Sequence, residues 1–257
     1  MIYFALTNGQ ELGAQAMLAL LFPEFLMAPL RQKPEIFSAK NRNKGGIPLS
    51  PQERKKREKE NKKNSVLRAA RRLFFENGFK SVTVDSIAAK AGISKGSIYL
   101  HFKSKEEIYA QILLNDNVDF YKRLTMSSSE ETPAAQRLLD FARIYADYFI
   151  NDRELFRIFI AFMLNADQMN FSEEQNTHLI KMANDDTNVI GEIIKKGMAK
   201  GEFHSAINVR QAQNAIWGLL NGIISLYLFT GKEENRALKI NAMVNEGLNI
   251  FIRGLKK

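Results

Sequence analysis

Cysteine is absent from the 257 residues. That excludes a disulfide frame and any thiolate metal site. The three histidines, His101, His178 and His204, are scattered and form no metal-ligand spacing, so no metal is expected. No phosphate-cradling glycine loop, nucleophile elbow or paired-carboxylate pattern stands out. The reading is therefore of a chain that is not an enzyme and needs no cofactor. Strand signals are also scarce: there is no sustained period-two alternation and no Asn-Gly hairpin between β-branched runs. The apolar run Ala215–Phe229, AIWGLLNGIISLYLF, is interrupted by Asn221 and Ser225. It falls short of the roughly 20 residues that a membrane span needs.

What remains is helical, and its most informative stretch is Thr83–Phe102, TVDSIAAKAGISKGSIYLHF. Thr83 is placed to cap a helix, with Asp85 in its first turn where a carboxylate meets the positive end of the helix dipole. Val84, Ile87, Ala88 and Ala91 recur at helical spacing and make one apolar face. Gly92 ends that helix, as glycine does just past a last turn. Ser94 caps a second helix that runs to about Leu100, with Ile98 inward and Lys95, Ser97, Tyr99 and His101 mostly outward. Small, polar and cationic groups at a helix tip, Ser94-Lys95-Gly96-Ser97, suit entry into a DNA major groove.

Further start and stop signals surround this pair. Ser104 and Glu107 form an S-x-x-E capping box, opening a long helix through Ile108, Ile112 and Val118 to about Met126. Upstream, Val66, Ala70, Leu73 and Phe74 mark an amphipathic helix closed by Asn77-Gly78.

Charge follows the same region. The chain has 37 basic and 28 acidic side chains, a formal net of +9. Residues 31–105 hold 20 basic and 6 acidic groups, a net of +14, whereas residues 106–257 are net −3 and residues 1–30 net −2. Lysine and arginine contacts to phosphate release counterions and supply affinity without reading sequence. For Arg54–Lys63 alone, a solvated helix face is an equal reading.

The segments LFFENGF and TVDSIAAKAGISKGSIYLHFKSKEEIY resemble the N-terminal domain of TetR/AcrR-type transcriptional regulators, without a gap from about Asn61 to Tyr121. The resemblance implies an all-α dimer. An N-terminal three-helix, helix-turn-helix DNA-binding domain (52–121) is joined by a long helix to a larger helical effector-binding and dimerisation domain (122–257). It implies a repressor of the bacterial cytoplasm, nucleoid-associated when bound to DNA. Such a protein binds a near-palindromic duplex operator and is released by a small effector. Carried over position by position, Lys95 is the candidate for a base-edge contact. Thr83, Ser94, Tyr99, His101 and Lys105 are candidates for phosphate positioning. Gly96 lets the helix tip approach the duplex, and Ser97 touches either a base or a phosphate. Tyr99 as a core aromatic stays open, and Phe102 reads as core.

The rest of the chain continues the helical pattern. Thr132-Pro133 reads as a cap followed by proline at the first helical position. Phe156, Phe159, Ile160 and Met163 make a further pattern. Ser172 and Gln175 form a box before a long helix to Lys200-Gly201. Asn208 caps a helix ending near Gly231, and the last helix runs from about Glu233 to Phe251. Large apolar side chains crowd residues 141–171. They are either plain core or, in part, the lining of a pocket for an apolar or amphiphilic effector. Candidates for the pocket are Phe141, Tyr145, Tyr148, Phe159, Phe162 and Met163. A helix apolar nearly all round must be covered on more than one side. The resemblance assigns the last two helices to a dimer interface, with Trp217, Leu220, Ile224, Leu228, Met243 and Leu248 as its candidates.

Residues 1–51 depart from that pattern. Leu12–Leu30 is apolar but contains Pro23 and Glu24, with no basic region before it, so it is weak as a span or signal. The segment up to Pro51 reads as a linker. The expectation is a disordered or weakly helical extension, with an unused upstream start or a peripheral anchor as the alternatives. Two other functions stay open: a DNA-organising or adaptor protein with the same head and no ligand sensing, and an enzyme on a helical bundle.

Overall fold

The computed structural model describes residues 50–125, 129, 131–230 and 233–256. The expected extension up to residue 49, the helix end at Met126 and the Gly231 stop lie outside them. Among the described residues the chain is all-α, and its sole β feature is an isolated bridge between Phe203 and Lys256.

Three helices make the head: α1 (Pro51–Ser81), α2 (Val84–Ala91) and α3 (Lys95–Tyr99). The lever α4 (Lys105–Thr125) follows, and then the body: α5 (Ala134–Asn151), α6 (Arg153–Asn165), α7 (Glu173–Ala199), α8 (Val209–Leu228) and α9 (Arg236–Leu255). Helix α1 starts at Pro51, where the linker reading ends. Ser50 and Glu53 form a reciprocal capping box, with Pro51 at the first helical position. Its first thirteen residues are almost wholly exposed, so Arg54–Lys63 is a solvated basic helix face. Gly78, at φ 73°, breaks the helical run where Asn77-Gly78 signalled a stop.

The core is continuous through head and body. Phe74 of α1 packs edge-on to Tyr109 of α4, whose phenol donates to the Ile158 carbonyl of α6 at 2.6 Å. Helix α4 packs on α1 and α6 on one side and on α5 and α7 on the other, so it belongs to both units. In the body, α9 packs on α5 and α8, while α7 lies against α5 and α8.

Two boundaries moved for identifiable reasons. Pro133, not Thr132, precedes the first helical residue of α5, and no side chain of its own segment caps it. Glu202 does so instead, accepting from the Ala134 amide at 2.7 Å. The last helix begins at Arg236 after a 3-10 turn over Glu233–Asn235, and it continues to Leu255.

Candidate DNA-binding face and effector cavity

Helices α2 and α3 are held by local chemistry. Thr83 Oγ1 accepts from the Ser86 amide, and Ser86 Oγ returns the contact to the Thr83 amide, both at 3.1 Å. Ser86 was not anticipated as the second half of that box. Gly92 adopts the left-handed conformation that ends α2, at φ 69°. Ser94 Oγ accepts from the Ser97 amide at 3.2 Å and lies 2.9 Å from Ser97 Oγ. Ile98 and Phe102 are buried in the core and α3 packs on α2, which orients the opposite side of α3 outward.

That outward side carries the candidates together. Thr83, Ser94, Lys95, Gly96 and Tyr99 are exposed, while Ser97 and His101 are half-buried. Tyr99 is 50% exposed, so it is not a core aromatic. A Cβ on Gly96 would meet nothing closer than Ser94 Oγ at 4.0 Å. No neighbour within the chain therefore requires glycine there. Lys95 Nζ donates to Asp85 at 2.8 Å, and this hydrogen bond holds the ammonium above the ordinary lysine range. Lys105 is placed differently. Its Nζ donates to the Phe79 carbonyl at 2.8 Å and sits 4.2 Å over the Phe79 ring, and burial lowers its pKa.

The aromatic candidates of the body divide. Tyr145, Tyr148 and Phe159 line a small cavity of about 20 Å³ together with Phe120, Phe149 and Asp186. Phe141 is buried, stacked on Tyr145 with centroids 6.0 Å apart, and Phe162 packs edge-on to Phe171 at 5.9 Å. Neither lines the cavity, and Met163 lies on the surface, 37% exposed. Tyr145 donates to Asn221 Oδ1, and Tyr148 donates to the Asp116 carbonyl, both at 2.9 Å. Burial raises both phenol pKa values.

Asp186 was missed. It is 6% exposed, and burial pushes its pKa up to about 7. With its amide nitrogen turned toward the carboxylate, Asn117 donates to the two oxygens at 3.3 and 3.1 Å. Among the described residues no cationic side chain pairs with it. The signal was present: Leu179, Met182, Asp186, Ile190 and Ile193 recur at helical spacing, all buried, so an aspartate stands in an apolar stripe.

Asn117 and Met182 also line a second space of about 330 Å³, an open groove between α4 and α7 floored by Leu114, Val118 and Tyr121. A larger groove, about 530 Å³, runs between the end of α1 and α6 and is lined by none of the aromatic candidates. Size favours that one. The small cavity has the more selective chemistry, because it holds a buried carboxylate inside aromatic walls.

The interface candidates also divide. Leu220, Ile224, Leu228 and Leu248 are fully buried within the single chain, Trp217 is half-buried and Met243 is exposed. Side chains already covered on all sides present nothing to a second copy. The exposed apolar groups on α8 and α9 are Leu226, Met243, Ile250 and Leu238.

Comparison with known proteins agrees with this architecture. Residues 66–112 match the model of bacterial regulatory proteins of the tetR family, and residues 131–243 match the tetracyclin repressor-like C-terminal domain. The repressor KstR2 of Mycolicibacterium smegmatis is 30% identical over 157 residues, covering 58% of this chain and 70% of its own. The fatty acid metabolism regulator protein of Bacillus subtilis is 24% identical over 199 residues, covering 77% and 98%. The structure of FadR from Bacillus subtilis in complex with stearoyl-CoA superposes with a TM-score of 0.61 at 21% identity, covering 75% of this chain and 98% of that one. At that identity the likeness is one of fold.

Proposed function

Because this chain belongs to the TetR family of bacterial transcriptional regulators, we propose that it is a ligand-responsive repressor that binds a near-palindromic operator as a homodimer. The carrying observation is the exposed cluster of Thr83, Ser94, Lys95, Gly96 and Tyr99 around the tip of α3, backed by a buried Ile98. Lys95 leaves Asp85 for a base edge, a local exchange of one charge-assisted hydrogen bond for another. Thr83, Ser94, Tyr99 and His101 position phosphates, and Ser97 touches either a base or a phosphate. Lys105, tied to Phe79, serves the head's own packing first. The basic first half of α1 adds salt-dependent, sequence-independent attraction.

The dimer forms through the exposed edges of α8 and α9, around Leu226, Met243 and Ile250. A two-fold pair then presents its α3 helices about 34–36 Å apart, or a multiple of a helical turn. The effector is apolar or amphiphilic. The aromatic cavity supports this, as does the name of the fatty acid metabolism regulator among the relatives. No helix among the described residues is long and apolar enough to cross a membrane. Selection of bound sites from a random duplex library tests the proposal: a two-fold symmetric motif is expected, and no enrichment would overturn it.

A further inference from the structure

Asp186 has no evident structural duty that asparagine or leucine would not perform better. A carboxylate without a cationic partner in an apolar stripe costs desolvation free energy, which the Asn117 amide offsets only in part, and such groups collect at functional sites. Its surroundings define what would relieve that cost. Phe120 and Tyr148 stack with centroids 4.2 Å apart, and Phe120 lies 5.7 Å from Tyr145. Ring faces and a carboxylate both attract a weakly hydrated organic cation. Both repel an anionic head group.

The inner space adjoins a larger one. Asn117 and Met182 line the inner cavity and the outer α4–α7 groove alike, so they form the partition between the two. Methionine is flexible and moves aside at low cost. Across the groove mouth, Lys181 is neutralised by Asp185 at 2.7 Å, so no unpaired lysine opposes a cation there. Val118, 72% exposed, and Tyr121 offer apolar surface outside.

We propose that the two spaces are one effector site for an organic cation with an apolar body. Its cationic centre lies against Asp186 at the edge of the aromatic cluster, and its apolar body lies in the groove over Leu114, Val118 and Tyr121. This rests on the reading of a ligand-responsive regulator and names the effector's class.

The site is wired to the head. Tyr148 lines the cavity and donates to the Asp116 carbonyl, and Asn117 is the next residue on α4. The Asp116 carboxylate in turn accepts from Arg71 of α1 at 3.1 Å. A cation that draws Asp186 away from Asn117 and displaces Met182 moves the turn of α4 that holds the head. The operator-bound and effector-bound forms then differ in head spacing.

The test uses the full chain and three twelve-carbon probes below their micelle concentrations: dodecyltrimethylammonium, dodecanol and dodecanoyl-CoA. Calorimetric binding and operator release are both read, for wild type and Asp186→Asn. The cation is expected to bind wild type and to release DNA. In Asp186→Asn the affinity for the cation should fall about tenfold or more, while dodecanol binding changes little. Asp186→Ser provides the same reading should the asparagine variant misfold. Equal binding of the cation by wild type and both variants, or no binding to wild type, would overturn the proposal. Release by dodecanoyl-CoA alone would overturn the cation assignment while leaving the ligand-responsive reading intact. Asp186-dependent binding of the cation without any operator binding would support the site and sink the regulator reading.

Discussion

Arg71 of α1 donates from Nη1 to Asp116 of α4 at 3.1 Å, joining the DNA-binding head to the lever. The same guanidinium bonds Asp152, the N-cap of α6, and lies 3.8 Å from Glu154. It is 8% exposed. Burial works to lower its pKa, but the three carboxylates outweigh burial and keep it charged. Replacing it with methionine leaves those carboxylates facing one another. Arg71→Met should cost about 2–3 kcal/mol, less than a fully buried network because its partners are nearly a third exposed. Arg71→Lys should recover only part, because an ammonium cannot bridge three partners as a planar fork does. Chemical denaturation measures both, and an unchanged midpoint for Arg71→Met would reduce the network to surface decoration.

Asp186 makes stability depend on pH in an unusual direction. Its folded pKa, about 7, lies above the value of roughly 3.9 expected unfolded. Between these values the native state holds the extra proton, so stability falls as pH rises and the penalty is complete above pH 7. The groups facing it keep that sign. Tyr145 and Tyr148 stay neutral, Asp185 is paired with Lys181, and Asn117 is uncharged. Asp186→Asn should therefore stabilise the free protein at pH 8, by up to about 4 kcal/mol, with the gain vanishing near pH 4. Thermal melts across that range check it. Destabilisation at pH 8 would mean that the carboxylate supports the fold.

A tight contact in the body gives a third prediction. Gly197 of α7 lies where a Cβ would come within 2.5 Å of Phe203 and 2.7 Å of the Ala134 Cβ. Gly197→Ala should lose about 1–3 kcal/mol by overpacking, despite alanine's better helix propensity. Nearby, Glu202→Ala removes the cap on α5 and should cost about 1 kcal/mol. Denaturant midpoints at unchanged m-value would report each, and a stabilised Gly197→Ala would show that Phe203 moves aside freely.

These positions show what could be read from the chain and what could not. The caps at Thr83, Ser94, Ser172 and Asn208 and the stop at Gly92 depend on residues within a few positions, and all are where the local signals put them. The cap from Glu202 crosses 68 positions and has no local signal. From Ala215 on, α8 is apolar nearly all round, so periodicity could not separate Leu220, buried in its own subunit, from the exposed Leu226. For the cavity, the aromatic residues stand out in composition, whereas Asp186 shows only as one charge at helical spacing among apolar neighbours.

The exposed side of α8 and α9 supplies a fourth prediction. Leu226→Arg with Met243→Glu places charge on the proposed dimer face without touching the buried Leu220 or Leu248. Sedimentation should show a monomer where wild type is a dimer, and operator affinity should fall as the second half-site contact is lost. A dimer of unchanged stability would place the interface elsewhere.

The central claim is that α3 reads DNA and that Lys95 is its base-contacting residue. Site selection from a random duplex library, at one fixed salt concentration, with wild type and Lys95→Ala in parallel, tests it most directly. The account predicts a two-fold symmetric motif for wild type. The variant should fold normally but bind that motif about tenfold or more weaker and lose preference at one position per half-site. Identical motifs and affinities for the two proteins would contradict it.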